Sequence, residues 1–354
     1  MQIVTGKAPA RHMPALHKLS EALPLGTPFS VLVDPSNACN FKCTFCPTGD
    51  PDLLKSVGRP LGLMSLGLFK KIVDDMKGFN QKLKKLFLYK DGEPFLNKEL
   101  ARMIAYAKRA GISESIDVTT NGALLLSQKI REILDAGLDS IRISVEHVHD
   151  EGYRSVTQTQ TAYETVRGNV ERLHREREKC GHPLFLEAKI IDVGLSEAEK
   201  KKFMDDFTPI TDFAHIDNLM GWSDCEKKDF TLGRGDEIQT GMDGHSPLKH
   251  DRKVCPNPFK TMAVNFNGQV SVCSVDWSLG TVVGDVTREN LVEIWNGERM
   301  RQFRLTHLVG DRSKIRPCAN CHYVLGTNPM NDLDDVVEKL IPIFSTPIPS
   351  PLTP

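Results

Sequence analysis

No run of about 18 apolar residues occurs anywhere in this sequence, which excludes a membrane-spanning helix. The opening residues, MQIVTGKAPARHMPALHKL, also lack the charged, then apolar, then small pattern of a secretion signal, so the chain is expected in the cytoplasm. Excess charge of either sign is missing: 45 basic residues stand against 46 acidic ones, leaving no field that would by itself attract nucleic acid or an anionic membrane. Repeats beyond a strand-helix alternation are absent too. What remains is a globular chain of 354 residues, long enough for one large domain and a small one, whose partners must be read from its sites.

Cysteine, by contrast, is plentiful. Nine cysteines are unusual for structural disulfides in a reducing compartment, where clustered thiols more often bind metal or do chemistry. Seven fall in groups: Cys39, Cys43 and Cys46, then Cys255 and Cys273, then Cys318 and Cys321. Cys180 and Cys225 stand alone.

Between these groups, short β-branched runs alternate with amphipathic stretches. Ser30–Asp34, Lys85–Tyr89, Ser115–Thr119, Ser140–Val145, Leu184–Ile191 and His215–Leu219 read as strands. Leu66–Lys77, Lys98–Ala110, Ser127–Ala136, Thr161–Lys179 and Ser196–Asp206 read as helices, several followed by a glycine stop such as Gly78, Gly111, Gly137 and Gly181. This order implies an α/β fold with a parallel sheet, and chemistry-bearing loops after successive strands favour a six-stranded (β/α)6 partial barrel over an open sheet. The expected organisation is a lead-in over 1–29, the barrel over 30–222, and a Gly- and charge-rich connection over 223–253. A small cysteine-bearing domain follows over 254–325, with a helix and Pro-rich tail over 326–354. Within the small domain, a hairpin turning at Asn267-Gly268 and a helix near Glu289–Leu305 are expected, with the tail irregular from Pro342.

The loop after the first strand reads Cys39-Asn-Phe-Lys-Cys43-Thr-Phe-Cys46, three ligands where a structural zinc site would close with four. Three thiolates on an iron-sulfur cubane leave one iron open. This C-x3-C-x2-C loop, with aromatic Phe45 before the last cysteine, resembles the signature of the radical S-adenosylmethionine (SAM) superfamily. The resemblance implies a [4Fe-4S] cluster on Cys39, Cys43 and Cys46, with SAM bound to the open iron and cleaved reductively. It also implies an electron donor such as flavodoxin or ferredoxin.

Lys90-Asp91-Gly92-Glu93-Pro94 follows the second strand and looks like the Gly-Gly-Glu-Pro motif of that superfamily with Asp91 in place of the first glycine. The resemblance makes Gly92 and Glu93 candidates for holding SAM, Glu93 by accepting from its ammonium. Asn121 after the third strand, Ser144 at the end of the fourth and Arg154 for the SAM carboxylate complete the candidates, with Phe45 beside them. Lys189 and Asp192 face either SAM or substrate, and Trp222, His215 and Asn218 are possible lining groups.

On chemistry alone, Cys255, Cys273, Cys318 and Cys321 fit a four-thiolate zinc site or a cluster equally well. Their spacing, with Gly268 before Cys273, Gly284 in Val282–Val286 and Leu291–Trp295 beyond, is similar to the SPASM and twitch domains appended to radical SAM enzymes. No further cysteines follow Cys321, so the pattern is twitch-like and resembles the aminocyclitol dehydrogenase type from butirosin biosynthesis. That resemblance implies a second [4Fe-4S] cluster that takes an electron from a small polar substrate, a sugar or cyclitol, while an alcohol carbon is oxidised. Cys225, after the sixth strand, is the candidate hydrogen donor if the reaction is instead an epimerisation. A peptide substrate is the third outcome, disfavoured because only about 29 residues precede the barrel where peptide-modifying relatives often carry a leader-binding module. A colourless zinc-binding interaction protein is the non-enzymatic one.

Overall fold

The computed structural model describes residues 18–224, 226–244 and 246–346. Cys225, residues 1–17 of the expected lead-in and residues 347–354 of the tail lie outside the described residues.

Six parallel strands follow one another around the sheet: β1 (Ser30–Val33), β2 (Leu83–Phe87), β3 (Ser113–Thr120), β4 (Ser140–Val145), β5 (Phe185–Asp192) and β6 (Phe213–Asn218). Each pairs with its predecessor in register, for example Leu86 with Ile116 and Ile141 with Leu186. Because strand side chains alternate, one face carries Val31, Val33, Leu86, Ile116, Val118, Ile141, Ile143, Leu186, Ala188 and Ile190. These pack against the apolar stripes of Leu66–Met76, Leu100–Ala110, Ser127–Asp135 and Tyr163–Cys180 in one continuous core. Two of the expected glycine stops, Gly111 and Gly181, both have φ of 63°, the left-handed conformation a helix C-terminus uses.

The opposite, inner face is polar. Lys85 pairs with Asp117 at 3.0 Å, Arg142 with Glu187 at 2.7 Å, and Asp217 with both Lys189 and His215 at 3.1 Å. Such a ladder of charges on the concave face of a partial barrel leaves a polar interior, whereas a closed barrel of this kind fills its interior with apolar layers.

The cysteine-bearing region expected over 254–325 continues this sheet. β7 (Thr261–Val264) lies parallel to β1, matching Val31 to Met262 and Val33 to Val264, and continues through an antiparallel hairpin to β8 (Gln269–Ser271) and β9 (Val282–Asp285). The result is one nine-stranded sheet in the order β6-β5-β4-β3-β2-β1-β7-β8-β9. Two expectations are corrected. The helix near Glu289–Leu305 is two helices, Leu291–Asn296 and Glu298–Leu308, broken at Gly297, where a Cβ would lie 2.6 Å from the Glu293 carbonyl. The chain beyond Pro342 is not irregular at once: Val337–Ser345 is a helix running through that proline. Losing one helix bond and meeting the ring costs roughly 3 kcal/mol. Burial of Leu340 and of Phe344, edge-on to Phe259 at 5.2 Å, offsets that cost. Finally, Asp150–Thr157 forms a helix that has no long apolar period to announce it.

Candidate functional site

The three early cysteines sit on the loop leaving β1, and that unannounced helix holds the loop. Lys42 N–H donates to the Thr157 carbonyl at 2.9 Å and Thr44 N–H to Val156 at 3.0 Å, so the loop backbone is clamped onto the C-terminal end of Asp150–Thr157. Phe41 is buried edge-on against Tyr153 at 6.1 Å, while Phe45 is buried with Val156 and Leu219. Cys39, Cys43 and Cys46 remain half-buried beside one another. Burial first, then neighbouring carboxylates and each other, pushes their thiols up, Cys39 to about 12. Three thiols so disposed fit a metal cluster that takes up the thiolates.

The loop after β2 closes on the same place. Gly92 is packed so tightly that a Cβ would lie 2.3 Å from the carbonyl oxygens of both Ser36 and Ala38, which explains glycine there without any unusual φ. Glu93 is buried, and its carboxylate accepts from Phe95 N–H at 2.9 Å, Thr120 Oγ1 at 2.8 Å and Asn121 N–H at 2.8 Å. It staples β2's loop to β3's, with one acceptor site of its four lone-pair positions left for a ligand. Asn121 Nδ2 in turn donates to Asn40 Oδ1 at 2.9 Å and points at Cys39 Sγ at 3.9 Å. Asp91, the departure from the glycine motif, is a buried ion-pair partner of Lys90 and, at 3.1 Å, of Arg59. Beside them the carboxyl of Asp34 is buried with no side-chain hydrogen-bond partner among the described residues, and burial with the nearby Asp91 charge raises it to about 7.

At the end of β4, Ser144 is half-buried on the inner face. Glu146, two residues on, is the group sequence reasoning passed over. It is buried, its carboxyl is raised to about 7 by burial, and its charge acts on both Cys39 and Cys43. Its only signal in the sequence is its place at a strand's C-terminal end. Arg154 stands exposed on Asp150–Thr157, without an ion pair among the described residues. Several possible substrate-facing groups are engaged internally. Asp192 caps the turn at Gly194 and Leu195 and pairs with Lys200 at 2.9 Å, and Asn218 donates to Thr240 Oγ1 at 2.6 Å. Trp222 Nε1 donates to the Phe45 carbonyl at 3.0 Å, tying β6's loop to the first cysteine loop. Cys180 is exposed at a helix end, its thiol on the Arg177 carbonyl.

The four late cysteines, far apart in sequence, line a single cavity together with Asn257, Arg312 and Tyr323. Asn257 Nδ2 donates toward Cys273 Sγ at 3.6 Å, and Cys255 N–H donates to His307 Nδ1 at 3.3 Å. Burial holds His307 down to about 3, so it stays neutral and accepting. Burial pushes Cys273 up to about 12 and Cys318 further. For Cys255 burial also raises the thiol, opposed by the Asn257 backbone and then by Lys260, Arg312 and Arg252. Four thiols around one void fit a fully ligated cluster. The two sites are joined: Lys90 Nζ, from the β2 loop, donates to the Asp276 carbonyl at 3.0 Å, and Asp276 also faces Cys273 and Cys318.

Comparison with known proteins agrees with this division. Residues 33–186 match the model of the radical SAM superfamily, and residues 255–322 match SPASM, an iron-sulfur cluster-binding domain. A probable GTP 3',8-cyclase of Methanococcus maripaludis is 30% identical over 142 residues, 40% of this chain and 42% of that protein. The GTP 3',8-cyclase of Chlorobaculum tepidum is 26% identical over 141 residues, so the match spans about two fifths of these relatives. Among solved structures, BtrN in complex with AdoMet and 2-DOIA is 18% identical with a TM-score of 0.52, covering 86% of this chain and 96% of that one. SuiB of Streptococcus suis bound to S-adenosylmethionine is 12% identical with a TM-score of 0.58, covering 81% and 70%. At these identities the likeness to solved structures establishes the fold. The matched domains bring a [4Fe-4S] cluster, SAM and auxiliary iron-sulfur.

Proposed function

Because this chain is a radical SAM enzyme with an SPASM iron-sulfur domain, we propose that it abstracts hydrogen from a sugar or cyclitol and oxidises an alcohol carbon to a carbonyl. When bound, SAM and the first cluster supply the hydrogen-abstracting radical, and the auxiliary cluster supplies a one-electron acceptor. Cys39, Cys43 and Cys46 would hold the first cluster, and Cys255, Cys273, Cys318 and Cys321 the second. Gly92, Glu93, Asn121, Ser144 and Arg154 would bind SAM, with Phe45 packing beside it. Going from alcohol to carbonyl removes one hydrogen atom, one electron and one proton. Asp217, Lys189 and His215 on the inner face are placed to orient hydroxyls, and the His215 imidazole is the group suited to receive the proton. A small reduced carrier, flavodoxin or ferredoxin, would supply the electron that starts each turnover.

The observation that carries this reading is the cavity shared by all four late cysteines. Four thiolates complete the coordination of a cubane, so such a cluster exchanges electrons and does not ligate substrate. The ladder of paired charges on the barrel's inner face supports a polar, hydroxyl-rich substrate.

The test is anaerobic turnover of the reconstituted enzyme with SAM and reductant over a panel of sugars, cyclitols and peptides, beside a Cys225→Ala variant. A carbonyl product, formed with one deoxyadenosine per turnover and retained in Cys225→Ala, supports oxidation. An inverted alcohol that disappears in Cys225→Ala would replace it with epimerisation, and turnover of peptides alone would replace the substrate class.

A further inference from the structure

The two cysteine sets sit in opposite electrostatic surroundings. Around the early set the charged neighbours are mainly acids, Glu93, Glu146 and Asp91, with Arg59 opposing them at Cys46. Around the late set they are mainly bases, Lys260, Arg312 and Arg252, with Asp276 opposing. That aspartate is already occupied, its carboxylate accepting from Gly280 N–H at 3.0 Å and from Thr281 N–H at 2.8 Å and Oγ1 at 2.7 Å.

Among the described residues, none of the three bases has a carboxylate to itself. Arg252 is buried and hydrogen-bonded to Thr327. Its nearest carboxylate, Asp332, is 3.7 Å away and already holds Lys249 at 2.9 Å. Arg312 lines the cavity and donates to the Cys318 carbonyl. The Nε of each arginine is buried with no hydrogen-bond partner among the described residues. Lys260 is half-buried at the end of Asn257–Lys260, with no ion pair among the described residues. Buried cations left so are costly unless an anion completes the site, and a cluster with four thiolates is such an anion.

We infer that Arg252, Lys260 and Arg312 form a cationic shell that raises the reduction potential of the auxiliary cluster and makes it the electron sink of the pair. Reduction adds one negative charge to the cluster, and fixed cations in a dry site stabilise that added charge far more than water would. The inference rests on the reading that Cys255, Cys273, Cys318 and Cys321 hold the cluster.

The experiment is an EPR-monitored redox titration of the reconstituted full-length protein, repeated in a Cys39/Cys43/Cys46→Ala background so that only the auxiliary signal remains, with iron counted in each sample. Lys260→Met is expected to lower the one-electron reduction equilibrium constant roughly tenfold, about 59 mV. Lys260→Arg, which keeps the charge, restores it. Arg312→Gln, which keeps a donor for Cys318, shifts it in the same direction as Lys260→Met. Midpoints unchanged in both neutral variants, with about four irons still bound, would overturn the inference while leaving the cluster assignment standing. A background variant that binds no iron would overturn the assignment and the inference together, and the iron count tells the two apart.

Discussion

At the residue scale, the site is held by groups whose roles depend on what lies across the fold. Gly92 reads in the sequence as part of a turn, yet its reason is the approach of the Ser36 and Ala38 carbonyls to 2.3 Å of any added Cβ. Gly92→Ala is therefore expected to displace the cysteine loop, costing about 1 to 3 kcal/mol in urea unfolding. About half the iron should be lost after reconstitution, because only the early site is disturbed. Lys90 shows the same principle with charge. Its fully buried ammonium serves Asp91 and the Asp276 carbonyl, so Lys90→Met leaves Arg59 alone to balance Asp91 beside Asp34 in a dry site. A loss of roughly 1 to 3 kcal/mol is expected by the same measurement. The grouping of the cysteines was legible from their spacing, and the fold brings the four late ones to one cavity, while the choice of cluster over zinc came from the resemblance. Glu146 and the Asp34, Arg59, Lys90 and Asp91 cluster were not legible, since a single acid or base at a strand end has no local signature.

At the element scale, strands with a regular alternation were read nearly to their ends, and Ser140–Val145 to the residue. The helix Asp150–Thr157 escaped because its eight residues depend on contacts made at both ends: His149 accepts from Gly152 N–H at 3.1 Å, and Val156 and Thr157 receive the cysteine loop. The helix Glu197–Phe207 is tied to the same region. Glu199 closes a capping box with Ser196 and reaches His149 at 2.9 Å. Hydrogen bonds from the Ser196 side chain and backbone, then from His149, hold its carboxyl down to about 2, below the ordinary 4.5. The group is lowered on folding, so its contribution is complete above pH 4.5 and is lost as pH falls towards 2. Glu199→Gln should therefore cost about 1 kcal/mol near neutral pH. Its urea midpoint should converge on the wild-type value as the pH approaches about 2, whereas a constant gap would assign the effect to packing.

At the scale of the whole molecule, the early and late cysteine sites belong to one sheet. The sequence signals a domain boundary where the strand-helix rhythm stops after Trp222, but composition carries no record of which strand will take the edge of β1. That place is filled by β7, so Val31 and Val33 depend on Met262 and Val264 for cover. A chain cut at about residue 250 exposes an apolar parallel edge, and it should aggregate on expression instead of yielding a monomeric barrel by size-exclusion chromatography. The continuity also explains how Lys90 on one side and Asp276 on the other keep a fixed relation between the two sites.

The most direct measurement is iron and sulfide content after anaerobic reconstitution, with SAM cleavage under reductant, in the wild type and in Cys39/Cys43/Cys46→Ala. About eight irons are expected in the wild type, falling to about four in the variant, with deoxyadenosine formed only by the wild type. Zinc in place of iron, or a wild type that forms no deoxyadenosine, would contradict that expectation.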